Sequence, residues 1–369
     1  MKFVRDILKE QHGFEIPDLA EFPDVSKEER YQENPEMDKL VESFETAFNN
    51  SKPVETLREW FDKIILLSEK QMPLHAGEAD YIKSYRKNAF KIYKWYQKHA
   101  RDNFQATKLN KNSESIYNTI RKDGVQFLKF DEQEVINISE MLQPAVNELL
   151  AKPDWCPPIG NYDRSMPLMN NKYDFAVRRI LDQQFALKGV LTACDHYWGR
   201  RGASTRKVTL HVSKPTDQHL FQYFQDCETT PETTNLHIDP KDGLFKALLY
   251  LTPVKEENGP IWFVKESHRW QRNEFEMLLA RGIATGNYCE NAVARRAIFR
   301  LPKRLRKSLQ FGRNLLDGTE QQKKILDQRE MMLSPNNLAV FDPGNIMHTG
   351  GWVKSGLRVN LQIQIRFLD

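Results

Sequence analysis

His237-Ile238-Asp239 is answered 109 positions after Asp239 by His348, and ten residues further on by Arg358. Side chains two apart on an extended strand point the same way, so His237 and Asp239 can reach one point together. A turn at Pro343-Gly344 between two apolar stretches would swing His348 back towards that pair. Two imidazoles and one carboxylate can occupy one face of an iron coordination sphere and leave the opposite positions open for a co-substrate and dioxygen. A bare metal site has no need of Arg358. Its presence suggests a small dicarboxylate on the metal, its far end clamped by a bidentate guanidinium. A lone His-x-Asp carries little weight, since about half a match is expected by accident among nine histidines. The strand context raises it.

That context is a run of eight candidate strands: residues 206–212, 219–224, 235–238, 245–252, 260–264, 338–341, 346–349 and 357–367. Eight short strands with the ligating residues on or beside them suggest a double-sheet jelly roll. The last strand alternates strictly, with Arg358, Asn360, Gln362, Gln364 and Arg366 on one face and aliphatic or aromatic residues on the other. If Arg358 holds a co-substrate, its face looks into the barrel and the aliphatic face packs on helices. Asn360 and Gln362 then line the pocket. The competing reading is an ordinary edge strand with its polar face in water.

Residues 1–112 read as a helical extension, with apolar stripes through Leu57, Trp60, Phe61, Ile64 and Ile65 and through Ile82, Tyr85, Ala89 and Ile92. Such stripes are packing surfaces far more often than cofactor sites. Residues 113–369 form the second region. There the pattern gives a helix over 116–122, a turn at Asp123-Gly124, a strand over 125–130, a helix over 132–150, loop over 153–167 and a helix over 174–187. A mostly helical, polar insertion occupies 270–332.

The net charge of +4 says little about partners, but it is unevenly spread. Between Ala294 and Arg313 stand eight basic residues, Arg304 and Arg306 among them, and no acidic ones; with +8 there and +4 overall, the remainder carries −4. The segment reads either as a docking surface for an anionic substrate or as a solvated basic helix. Four scattered cysteines without metal or disulfide spacing fit a reducing compartment. Residues 1–14 are broken by Arg5, Asp6, Lys9 and Glu10, unlike a signal peptide. No apolar run approaches the ~18 residues of a membrane span. The expectation is a cytoplasmic protein.

With these residues in view, the chain from about Ser113 to the C-terminus resembles the phytanoyl-CoA dioxygenase-like family of iron(II)/2-oxoglutarate oxygenases. The elements carrying the resemblance are, in order, Lys122-Asp123-Gly124-Val125, His237-Ile238-Asp239, Glu257-Asn258-Gly259-Pro260-Ile261-Trp262 with Ser267-His268, Phe341-Asp342-Pro343-Gly344, His348 and Arg358. The ordered set is specific where each piece is not. The resemblance implies an α+β chain whose mainly β core is a double-stranded β-helix, a cupin-like jelly roll flanked by helices. It implies Fe(II) on His237, Asp239 and His348, with 2-oxoglutarate as co-substrate and its far carboxylate on Arg358. It further implies consumption of O2, release of succinate and CO2, and hydroxylation of an unactivated C–H bond. Asp239 fills the coordination position that a halogenase of this type leaves empty, which favours hydroxylation over halogenation.

One departure concerns the hydroxyl residue often found two places after the distal histidine. Here that place is Gly350, and Thr349 or another strand's hydroxyl would substitute. Tyr223 and Asn360 are further candidates for the co-substrate, and Gln222, Trp262, Gln362, Arg304 and Arg306 for the substrate. His268 reads as a turn residue rather than a ligand. The substrate implied is small or carrier-linked, and anionic on the docking reading. Two alternatives stand beside it. One is an oxygenase acting on nucleic acid or protein, ranked lower because only Phe299 and Phe311 interleave the basic segment. The other is a non-catalytic jelly-roll binding protein, which the complete ligand set opposes.

Overall fold

The computed structural model describes residues 35–50, 54–71, 87, 108–152, 164–169, 171–199, 201–215, 236–239, 244–270, 320–351 and 353–367. The chain divides into two compact units. The first comprises Met1–Asn103, Tyr223–Pro240 and Arg269–Asp327, the second Phe104–Gln222, Lys241–His268 and Gln328–Asp369.

In the first unit, helices α1 (Pro35–Asn49) and α2 (Val54–Gln71) pack on each other. Met37, Val41 and Phe44 of α1 recur at helical spacing and are buried, as are Leu57 and Ile64 of α2. The short helix Glu320–Asp327 belongs here too, with Lys324 Nζ 4.0 Å over the Trp270 ring.

The second unit opens with α3 (Lys111–Asp123), five residues earlier than the apolar pattern predicts. Its start is fixed by polar caps instead. Asn110 Oδ1 accepts from the Ser113 amide at 3.0 Å, and Ser113 Oγ accepts from the Asn110 amide at 2.9 Å. Gly124, at φ +91°, ends the helix. A Cβ there would stand 2.0 Å from Ile346 Cδ1, so the turn needs glycine for space as well as for backbone sign. Strand β1 (Val125–Leu128) follows, then α4 (Glu132–Leu150), β2 (Arg164–Pro167), α5 (Asp174–Lys188) and α6 (Val190–Trp198). β2 lies where loop was expected. α6 was not foreseen: Gly189, at φ +81°, closes α5 and starts α6 directly.

The remaining strands are β3 (Ser204–Ser213), β4 (Leu244–Tyr250), β5 (Ile261–Val264), β6 (Arg329–Met331), β7 (Leu338–Phe341), β8 (His348–Gly350) and β9 (Arg358–Arg366). β6 falls at the end of the stretch expected to be helical. The expected strand over 219–224 lies outside the described residues, as do 271–319 of the insertion. Six strands form one antiparallel sheet in the order β1-β7-β4-β9-β3-β2, and three form another in the order β6-β5-β8.

Alternation decides what each face of the six-stranded sheet meets. Val208, Leu210, Val212, Phe245, Ala247, Leu249, Leu361, Ile363 and Ile365 share a core with Ile116, Ile120, Leu142, Leu149, Leu181 and Phe185 of the helices. The aliphatic face of β9 therefore packs on helices, as its alternation predicts. From the other face, Val125, Leu248, Tyr250, Ala339 and Phe341 join Ile261 and Phe263 of the three-stranded sheet in a second core. Among the described residues no helix is long and apolar enough to cross a membrane.

Candidate metal and co-substrate site

The sequence pattern predicts a strand over 235–238; among the described residues 236–239, only His237 makes a β-bridge. The alternation survives nonetheless. Leu236 and Ile238 are buried at 2% and 1% exposure, while His237 and Asp239 turn to each other, with Nε2 and Oδ1 3.6 Å apart.

His348 is placed by a turn that its sequence builds. Asp342 accepts from the Gly344 amide at 3.0 Å and from Asn345 Nδ2 at 2.6 Å, reversing the chain after β7. The Met347 amide then donates to Ser267 Oγ at 2.9 Å, and the Val264 amide to the Met347 carbonyl at 3.0 Å. Ser267 sits with His268 in a short 3₁₀ turn; the His268 ring lies 3.0 Å from the Arg121 carbonyl, so this pair closes a turn as expected. The His348 ring lies against Phe263, near-parallel at 6.2 Å, and edge-on to Phe341 at 4.9 Å. Its Nδ1 is 3.0 Å from the Ile346 carbonyl. A carbonyl only accepts, so Nδ1 carries a hydrogen, and in the neutral ring Nε2 then carries the lone pair. That is the tautomer a metal ligand needs, oriented through its other nitrogen.

Among the described residues, His237, Asp239 and His348 are a group whose ligand atoms, one from each residue, all lie within 4.8 Å of one another. Two imidazole nitrogens and one carboxylate oxygen suit ferrous iron and leave coordination positions for oxygen donors. On donor chemistry and ring orientation, the residues fit the ion.

Arg358 opens β9 and is 8% exposed. Its Nη1 donates to the Gly351 carbonyl at 2.9 Å and its Nη2 to Ser213 Oγ at 3.1 Å. Ser213 is the register partner of Arg358 on β3. A hydroxyl from another strand thus meets the guanidinium, and Gly350 keeps its backbone beside it. A Cβ there would lie 3.4 Å from Nη2. The Thr349 hydroxyl donates to the Gly350 carbonyl at 3.2 Å. Thr349 also pairs in register with Trp262, and strand alternation puts both on the face opposite His348 and Phe263. Trp262 instead lies under the Arg329 guanidinium at 5.9 Å.

Asn360 is buried on the Arg358 face, between His211 of β3 and Tyr250 of β4 in register. Gln362 shares that face, and its Oε1 is 3.0 Å from His211 Nε2. Sequence reasoning missed Ser213, His211 and Tyr250. Tyr250 offers a hydroxyl within an otherwise apolar run, which was its one visible signal. The Ile261 amide donates to that hydroxyl at 2.7 Å. Burial pushes its pKa up to about 12, with the Arg358 charge opposing, so it stays a neutral donor. Gln222, Tyr223, Arg304 and Arg306 lie outside the described residues.

A profile described as "Phytanoyl-CoA dioxygenase (PhyH)" matches residues 48–292. The matched span takes in His237 and Asp239 and ends before His348 and Arg358. It begins 65 residues ahead of Ser113, inside the helical stretch that sequence reading set outside the family pattern. No curated protein matches. Among solved structures, the 2-oxoglutarate-dependent carbocyclase SnoK of nogalamycin biosynthesis is 12% identical at TM-score 0.42, over 72% of this chain and 86% of its own. EctD from S. alaskensis with bound Fe is 12% identical at TM-score 0.43, over 72% and 80%. AviO1 from Streptomyces viridochromogenes Tue57 is 11% identical at TM-score 0.40, over 70% and 96%. Similarities this low add nothing to the functional argument.

Proposed function

This chain belongs to the phytanoyl-CoA dioxygenase family, and we propose that it hydroxylates an unactivated C–H bond of a small or carrier-linked organic substrate. It is an iron(II)- and 2-oxoglutarate-dependent oxygenase. The observation that carries the site reading is the His237, Asp239 and His348 group, with the tautomer of His348 held by the Ile346 carbonyl. The two antiparallel sheets with their common core support a double-stranded β-helix as the scaffold.

When bound, iron and 2-oxoglutarate couple oxidative decarboxylation to insertion of one oxygen atom of O2 into the substrate, releasing succinate and CO2. The chain's own residues supply position and exclusion of water. His237, Asp239 and His348 would hold the metal through three donors, and the Asp239 carboxylate fills the place a halide would need. Arg358 would grip the far carboxylate of 2-oxoglutarate through a planar pair of N–H groups. Ser213 fixes Nη2 from one side, and the Gly351 carbonyl fixes Nη1 from another. Tyr250 keeps its proton beside this charge and can donate a hydrogen bond to an incoming carboxylate. Phe263 and Phe341 shield the His348 ring.

Anaerobic addition of Fe(II) and 2-oxoglutarate should produce a weak visible charge-transfer band, and His237→Ala or Asp239→Ala should remove both the band and succinate release. Unchanged turnover in either variant would refute the ligand assignment.

A further inference from the structure

The β9 face bearing Arg358 continues through Asn360, Gln362 and Gln364 to Arg366, because Leu361, Ile363 and Ile365 are taken by the helix-packed core. Register extends that face across the neighbouring strands. Lys207 of β3, Gln364 of β9, Lys246 of β4 and Phe341 of β7 stand in one cross-strand row. The adjoining row is Ser204, Arg366 and Leu244. Arg366 Nη2 donates to Gln364 Oε1 at 3.1 Å, which engages the amide oxygen and leaves the amide hydrogens as donors. Three cations therefore surround a donor amide, and no carboxylate occupies either row.

Lys246 is 8% exposed. Placing an ammonium there is unfavourable unless the surroundings compensate it. It has an interaction of its own elsewhere in the chain, so an arriving anion would add to that compensation. With strands ~4.8 Å apart, the Cα atoms of Lys207 and Lys246 flank Gln364 at roughly 10 Å, a gap two lysine side chains can close on one small anion. Phe341, next in the row, meets the His348 ring edge-on. Arg358 lies six residues back along β9, about 20 Å at strand rise, too far for one five-carbon diacid to serve both places.

We infer that Lys207, Gln364, Lys246 and Arg366 form a second anion subsite, which takes a carboxylate or phosphate group of the organic substrate. This rests on the oxygenase reading and adds to it the charge class of the substrate.

Full-length protein titrated calorimetrically with hexanoate, hexyl phosphate and hexanol tests the subsite, in the natural chain and in Lys207→Met, Lys246→Met and Arg358→Met. Binding of 2-oxoglutarate to the iron-loaded protein is measured in each. At least one anion should bind where hexanol does not, and the tighter of the two tells carboxylate from phosphate. Each lysine variant should weaken it at least tenfold, Arg358→Met should not, and 2-oxoglutarate should bind the lysine variants as before. No anion binding to the natural chain, or equal binding to Lys207→Met, overturns the subsite. Lys207 is the more exposed of the pair, so that arm stands even if Lys246→Met fails to fold. If 2-oxoglutarate binds no chain while the anion result holds, the oxygenase reading fails and the subsite remains.

Discussion

The guanidinium of Arg358 is held by a hydroxyl from β3, although position 350 on β8 lies as near. Ser213→Ala should weaken 2-oxoglutarate binding to the iron-loaded protein about tenfold, since hydrogen bonds to charged groups contribute ~1.5 kcal/mol or more. Gly350→Ser in the same chain should restore most of that loss. A Cβ there meets Nη2 at an ordinary contact distance, and the backbone lies outside the left-handed region. Calorimetric affinities check both; a double variant no better than Ser213→Ala removes the idea that one hydroxyl stands in for the other. Tyr250 gives a second prediction at this scale. Its folded pKa, about 12, exceeds the ordinary value of 10, so the unfolded chain loses its proton first. Stability from this group is complete below pH 10 and is lost between about pH 10 and 12, by roughly 3 kcal/mol. Denaturant midpoints across that window should fall less steeply in Tyr250→Phe than in the natural chain.

β9 separates two environments along one strand. Its aliphatic residues enter the helix-packed core and its polar residues line the opposite face. Leu361 is fully buried, so Leu361→Ala should lower unfolding free energy by about 2–5 kcal/mol, read from urea curves with unchanged slope. A loss under 1 kcal/mol would mean that the helices do not pack there. Period-two alternation made β9 legible, because its two faces meet different surroundings, whereas β4 showed as a nearly continuous apolar run, buried on both faces. The early start of α3 was not legible from apolar spacing, since Asn110 and Ser113 fix it through hydrogen bonds. Neither was β2, whose Arg-Ser-Met-Pro sequence becomes a strand only by pairing with β3.

Across the whole molecule, charge is the property that local packing explains least. The basic run from Ala294 to Arg313 sets a local excess of +8 against a chain total of +4. Arg304→Glu with Arg306→Glu should raise the substrate KM about tenfold through lost long-range attraction, with the 2-oxoglutarate KM unchanged. The shift should shrink in high salt. Equal values for both constants would assign the run to ordinary solvated surface. The family match, which begins at residue 48, also carries the family's extent into residues that composition alone reads as an appended helical segment.

The sequence by itself determined the chemical types: two imidazoles and a carboxylate at His237, Asp239 and His348, a guanidinium at Arg358, and which face of β9 each residue takes. Spacing and alternation encode these locally, because side-chain direction in a strand follows residue parity. Tertiary structure decided which groups become neighbours across strands. Ser213 beside Arg358, Phe263 and Phe341 around His348, and Lys207 with Lys246 either side of Gln364 depend on register. Register is set by the packing of both sheet faces at once, and no short stretch of chain contains that information.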